Sequence, residues 1–255
     1  MQLYFYGFSK ALADFGQYLL PSAARCATIG ENSLLEAKEM RASDYTQIFW
    51  DFNGTIFDDL DLGIRTVNTL LRRRGLPTLD SVEIYHSLFG FPVQDYYEKI
   101  GLWHKGEDFS PVAHEWMDQY RSEEKTAPVR AGMIEVLDAI RALGIPQGLL
   151  SATETEMLRE QITYLGIVDY FSPLRGRDDI YAASKSGLAA RYREAYPDAR
   201  VLMIGDTSHD LDTARAGGFD CILICGGHES EDNLRKNGVP VARNPHEVGE
   251  MLGLW

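Results

Sequence analysis

Ile48-Phe49-Trp50-Asp51-Phe52-Asn53-Gly54-Thr55-Ile56 is the stretch that decides the fold of this 255-residue chain. An apolar run delivers a carboxylate straight into a turn, and Gly54 lets the backbone bend tightly behind it. The pattern places Asp51 where a strand ends. Ligands of open α/β sheets bind just beyond the carboxyl ends of strands, so Asp51 is placed to react rather than to solvate a surface. Asn53, two residues on, is an amide where a second acid would be useful.

Outward from this turn the pattern becomes helical. Leu62, Val67, Leu70 and Leu71 recur at helical spacing up to Gly75-Leu76-Pro77. Further helical stretches follow at 80–89, 92–100 and 109–125, rich in aromatics and uninterrupted by a strand. Residues 62–127 therefore read as a small all-helical domain inserted after the first strand. The remainder alternates: helix 131–143, strand 145–151, helix 154–165, an extended segment near 171–175, helix 185–195, strand 201–204, helix 208–216, strand 220–225, a weak helix, strand 239–242 and a helix from 245. Such alternation implies right-handed βαβ units and a Rossmann-like parallel sheet. The expected organisation is an α/β core of residues 46–61 and 128–255, a helical insertion at 62–127, and an N-terminal extension at 1–45.

The bulk numbers agree with one large globular domain, or one domain with an insertion. Apolar residues make up 45%, enough for a sizeable core, and the formal net charge of −13 argues against a nucleic-acid partner. Cys26, Cys221 and Cys225 have no metal-ligand spacing, which suits reduced thiols and a cytoplasmic location. No run is long enough to span a bilayer. Met1 to Leu20 is aromatic-rich, but Lys10 and Asp14 interrupt its apolar part and it lacks a basic start, so it is not read as a signal peptide. Its most helical part is 11–20. Met40 lies just before the first strand, and translation beginning there would make 1–39 an upstream addition.

In a parallel sheet the strand ends share one edge. Asp51 and Asn53, then Ser151 and Thr153, then Lys185 at a helix start, then Gly205-Asp206-Thr207-Ser208-His209-Asp210 all converge on it. Their chemistry fits phosphoryl transfer to a carboxylate. Asp51 attacks phosphorus. Carboxylates around a phosphate need a cation, and Mg²⁺ suits oxygen ligands. Asp51, Asp206, the Asn53 backbone carbonyl and Asp210 are its expected ligands. Lys185 and Ser151 serve the phosphoryl oxygens, and backbone amides after Asp51 complete the cradle.

These four motifs, in order, resemble those of the haloacid dehalogenase (HAD) superfamily over residues 46–255. The helical insertion resembles that superfamily's C1 cap. Phe89-Gly90-Phe91-Pro92 and Gly226-Gly227-His228 look like phosphoglycolate phosphatase relatives. The resemblance implies a Mg²⁺-dependent hydrolase of a small phosphate monoester. Asp51, Asn53 and Lys185 would be catalytic. Ser151, Ala152, Lys185 and Gly54 would hold phosphate, and Asp51, Asn53, Asp206 and Asp210 would hold metal.

The departure is Asn53, where most phosphatases of the superfamily carry an aspartate that shuttles the leaving-group proton. Such acid–base catalysis is worth about 10²–10⁴-fold. Four readings stand: a substrate whose leaving group needs no proton; a substitute acid among Asp58, Asp59, His209 and His228; a phospho-ligand binder without turnover; or deamidation at Asn53-Gly54. If the missing acid is the only defect, Asn53→Asp raises turnover. Carbon–phosphorus hydrolysis would need a buried cap lysine, with Lys99 and Lys105 available. Plainer readings also exist. Asp51 and Ser151 are possible helix caps, Lys185 an exposed lysine, Asp210 a first-turn carboxylate, His228 a loop histidine, and Arg72 to Arg74 a solvated helix face. Phe91 and Tyr96 are the cap aromatics expected near substrate.

Overall fold

The computed structural model describes residues 40–172, 174–175 and 185–255. The expectations for residues 1–39, including the 11–20 helix and Cys26, lie outside them. Among the described residues six parallel strands form one sheet: β1 (Gln47–Trp50), β2 (Gln147–Leu150), β3 (Leu174–Arg175), β4 (Val201–Gly205), β5 (Asp220–Ile224) and β6 (Val241–Ala242). Their spatial order is β3-β2-β1-β4-β5-β6, so β1 is central. Ile48 stands opposite Gln147 on one side and Leu202 on the other.

The unbroken apolar runs are explained by two cores, one on each face. Ile48, Trp50, Leu149, Leu202, Ile204, Ile222 and Ile224 point into one. Phe49, Leu150, Val201, Met203, Cys221 and Leu223 point into the other. Every second residue changes face, so a strand covered on both sides must be apolar throughout. Trp50, fully buried, satisfies its indole N–H on Gln147 Oε1 at 3.1 Å. The strand β2 is shorter than the 145–151 read from sequence. Gly144 turns at φ 71° and Pro146 lends only its carbonyl, to the Ile48 N–H at 3.0 Å.

Helices α1 (Leu60–Arg73), α2 (Val82–Leu88), α3 (Val93–Lys99) and α4 (Ser110–Glu123) fill the interval between β1 and the next core helix. They share a third apolar cluster built on Val67, Leu70, Leu71, Tyr85, Tyr96 and Tyr97. A 3₁₀ turn at Glu124–Thr126 replaces the last residues of the 109–125 helix. The core helices are α5 (Met133–Ala142), α6 (Thr155–Tyr164), α7 (Lys185–Ala195), α8 (Ser208–Gly217), α9 (Glu231–Arg235) and α10 (Pro245–Met251). The chain closes on itself: the Ala42 N–H donates to the Leu252 carbonyl at 2.9 Å, and Tyr45 Oη donates to Asp220 at 3.0 Å. Cys221 and Cys225 are free thiols, and no described helix is long and apolar enough to cross a membrane.

Candidate active site

The carboxyl edge of β1, β2 and β4 carries the polar punctuation. Asp51 leaves β1, Ser151 leaves β2 and Asp206 leaves β4, while Lys185 opens α7. Oxygens of Asp51, Asp206 and Asp210 lie within 4.8 Å of one another, and all three residues are buried. Lys185, 4% exposed, donates to both Asp51 Oδ1 and Asp210 Oδ1. Asp210 Oδ2 also accepts from Thr207 N–H at 3.0 Å and Thr207 Oγ1 at 2.8 Å, in a capping box at the start of α8. Asp210 therefore caps its helix and serves the cluster at once. Thr55 Oγ1 donates to Asp206 Oδ1 at 2.9 Å, and the His228 N–H to Asp206 Oδ2 at 2.7 Å.

Electrostatics make this cluster costly as it stands. Burial pushes the Asp51 carboxyl well above its ordinary value. Lys185 opposes that shift, while Asp210 and Asp206 add to it. Asp206 is raised by burial and by Asp210, against the pull of His228. Burial would lower the Lys185 ammonium, but Asp210 and Asp51 overcome it and raise it instead. Three carboxylates facing one ammonium leave two negative charges uncompensated. Clustered hard oxygen donors with that charge fit a divalent cation of the Mg²⁺ type.

Asn53 belongs to a second network. Its Nδ2 donates to Asp59 Oδ2 at 2.8 Å and to Tyr120 Oη at 3.0 Å, and its Oδ1 accepts from Thr153 Oγ1 at 2.8 Å. Asp59, 2% exposed, also accepts from Tyr120 Oη at 2.6 Å and from Gly54 N–H at 2.7 Å. Burial would raise its carboxyl, but His228, Tyr120 and Asn53 hold it below the ordinary value. Burial would lower the His228 imidazole, yet Asp59 raises it to about 9. Its ring lies between two partners, with Nε2 3.3 Å from Asp59 Oδ1 and Nδ1 2.9 Å from Tyr85 Oη. His86 Nε2 reaches the Gly227 carbonyl at 2.9 Å, so α2 is pinned to the loop after β5 at two points.

Several sequence expectations change here. Gly54 N–H is committed to Phe57 O and Asp59 Oδ1, so Gly54 shapes the turn and does not offer a donor to phosphate. Ala152 is exposed. Ser151 Oγ accepts from Thr153 N–H at 3.0 Å, while Glu154, not Ser151, caps α6. Asp58 is exposed, outside both buried networks. Lys99 and Lys105 are exposed as well, so neither is a buried amine for a Schiff base. His228 lies in the loop after β5, as read from sequence, and there it ties Asp206 to Asp59. Phe91 stacks on His209 with centroids 5.0 Å apart, beside a 280 Å³ cavity that Phe89 and Glu229 also line. Tyr96 sits instead in the helical cluster, with its buried hydroxyl unpartnered. Arg73 and Arg74 both pair with Glu115, an exposed face as expected. A larger open cleft of 630 Å³ between α4 and α6 contains none of these groups. Tyr120 and Thr55 escaped the sequence reading. Thr55 stood inside the motif, but Tyr120 looked like one more core aromatic.

Gly54 carries a double backbone demand, with φ 71° and a Cβ that would overlap the Asp206 carboxylate. Gly54→Ala is expected to cost about 1–3 kcal/mol from the left-handed backbone alone, read by urea unfolding. It should also weaken Mg²⁺ binding by displacing Asp206. Unchanged unfolding and unchanged metal affinity would show that the turn is softer than its geometry.

Comparison with known proteins agrees with this geometry. The chain is 25% identical over 197 residues to a phosphoglycolate phosphatase of Yersinia pseudotuberculosis, spanning 71% of this chain and 81% of the relative. It is 23% identical over 212 residues to the tyrosine-protein kinase PtkA of Mycobacterium tuberculosis, spanning 80% and 70%. Among solved structures, a haloacid dehalogenase-like hydrolase of Streptococcus pneumoniae superposes with a TM-score of 0.68 at 21% identity, over 81% of this chain and 97% of that one. A predicted phosphatase of Clostridium acetobutylicum gives 0.65 at 16%, over 83% and 99%. The haloacid dehalogenase-like hydrolase family model matches residues 48–224. With its parallel sheet, its acidic strand ends and that match, this chain belongs to the haloacid dehalogenase-like hydrolase family.

Proposed function

We propose that the chain is a Mg²⁺-dependent phosphatase that acts on a small phosphorylated metabolite through an aspartyl-phosphate on Asp51. The observation that carries this reading is the convergence of Asp51, Asp206, Asp210 and Lys185 in one buried cluster. Asp51, Asp206 and Asp210, with the Asn53 carbonyl, would hold Mg²⁺. Bound there, it would neutralise charge on the phosphoryl oxygens. Asp51 attacks phosphorus, Lys185 turns from carboxylates to phosphoryl oxygens, and the Ser151 hydroxyl donates to the same group. Helices α1–α4 act as a cap, excluding water and supplying substrate contacts through Phe91 and its neighbours. Relatives named as phosphoglycolate phosphatases make phosphoglycolate the first monoester to test. A cytoplasmic location suits the free thiols.

The engagement of every polar atom of the Asn53 side chain favours a second reading, a phospho-ligand binder that does not turn over. The two readings separate on a panel of phosphate esters and acyl phosphates with Mg²⁺, following released phosphate. Turnover that disappears with chelator and returns with Mg²⁺ is expected. Retention of ligand with no release would establish the binder.

A further inference from the structure

The hydrogen-bond inventory around Asn53 leaves no spare position. Both hydrogens of its amide nitrogen are placed, one on Asp59 Oδ2 and one on Tyr120 Oη, and its oxygen faces the Thr153 hydroxyl. Rotating the amide would set its oxygen against the Asp59 carboxylate, so its orientation is determined. Asp59 in turn accepts four donors: Asn53, Tyr120, Gly54 and His228. A carboxylate is acceptor-only, and two facing carboxylates in this buried spot would repel. Position 53 is therefore built for an amide, and the geometry reverses the expectation that Asn53→Asp raises turnover.

Three of the groups nearby are committed elsewhere or turned away, and the fourth, His209, stacks on Phe91 at the cavity and is probed in the test below. Both ring nitrogens of His228 are engaged, by Tyr85 and Asp59. Lys185 is held by Asp51 and Asp210. Asp58 is exposed. With an amide in place of an acid at position 53, a leaving oxygen departs with its electron pair and no proton from that side chain. An alkoxide does so poorly. A carboxylate does so readily, being a weak base with a pKa of about 4.

We propose that this centre selects acyl phosphates over alkyl phosphate esters, because Asp59, Tyr120 and Thr153 lock Asn53 as an amide beside the nucleophile. The proposal rests on the phosphatase reading above and narrows its substrate class. In the first half-reaction an Asp51 Oδ–P bond forms and the P–O bond to the acyl group breaks. The acid leaves as its carboxylate with the bonding pair. In the second, a water oxygen bonds to phosphorus and the P–Oδ bond breaks. Asp51 returns as a carboxylate, and the water proton passes to a phosphoryl oxygen of the departing phosphate. Both halves expel a carboxylate, so neither needs the acid that Asn53 cannot be. Asp59 acts as a positioning residue, through Asn53.

The test uses the full chain with Mg²⁺ and compares acetyl phosphate, phosphoglycolate, phenyl phosphate and 2,4-dinitrophenyl phosphate. The expected result is a kcat/KM for acetyl phosphate about 100-fold or more above phosphoglycolate, with a comparable climb from the phenyl to the dinitrophenyl ester. Asn53→Asp alone is expected to lower activity on every donor. The double change Asn53→Asp with Asp59→Asn restores an amide facing a carboxylate in the opposite sense. It should narrow the gap at least about tenfold by a gain on phosphoglycolate. The donor series on the unaltered chain decides the matter even where a variant fails to fold. Phosphoglycolate turned over within tenfold of acetyl phosphate would overturn the selectivity and leave the phosphatase standing. Efficient ester turnover that collapses in His209→Gln would also overturn it, naming His209 as the donor. Phosphate release from no donor would remove the phosphatase reading itself.

Discussion

Asp51→Asn should abolish phosphate release, by on the order of 10⁴–10⁶-fold, while the fold survives. Loss of a nucleophile has effects of that size in other covalent enzymes. The amide keeps the shape of the carboxylate, and Lys185 retains Asp210 as a partner. The substitution also removes a charge that burial, Asp210 and Asp206 all disfavour. Unfolding midpoints should stay unchanged or rise, a pattern that separates chemistry from stability. Acid quenching with radiolabelled acetyl phosphate gives the second readout: the unaltered chain should retain label on protein, and the variant should not. Turnover surviving in Asp51→Asn would take the nucleophile away from this residue.

Lys185→Met should be the most destabilising of the site changes. It strands two buried carboxylates that share one ammonium, 4% exposed, between them. Removing one partner of a buried ion pair costs about 3–5 kcal/mol, since the charge left behind has lost its counter-ion and is not rehydrated. Urea unfolding without metal reads that loss. Saturating Mg²⁺ should recover part of it, because the cation would sit among the same oxygens and supply the missing positive charge. Chain stability untouched by the substitution would mean that Lys185 turns outward in solution and does not close the cluster.

The parallel sheet was legible because burial on both faces leaves a direct trace. The runs at 48–50, 201–204 and 220–225 have almost no polar residue to interrupt them, and the structure divides them residue by residue between two cores. The strand-end carboxylates were legible for a related reason, since parallel topology alone brings such ends to a common edge. The Asp59 network was not. Asp59 stood among four candidate acids, with nothing in its spacing to say that it was wholly enclosed. Its partners Tyr120 and His228 lie 61 and 169 positions away, on a helix and a loop. Sequence periodicity reports which face a residue occupies and is silent on which distant hydroxyl meets it there. In the sequence Tyr120 is one more aromatic of the helical insertion, and the partners of its hydroxyl emerge only with the fold. The Gly54 amide failed in the opposite direction: a glycine after a nucleophile suggests a donor to phosphate, but the tight turn consumes that N–H internally.

The bond from Ala42 to the Leu252 carbonyl has a practical side. It fastens the C-terminal helix beside the chain entering β1, at the end of the sheet opposite Asp51. Trp255, half exposed, folds back along that helix onto His246. A surface tether fixed on the face where Ala42 meets Leu252 holds the molecule by its base and leaves the opposite edge, with Asp51, open.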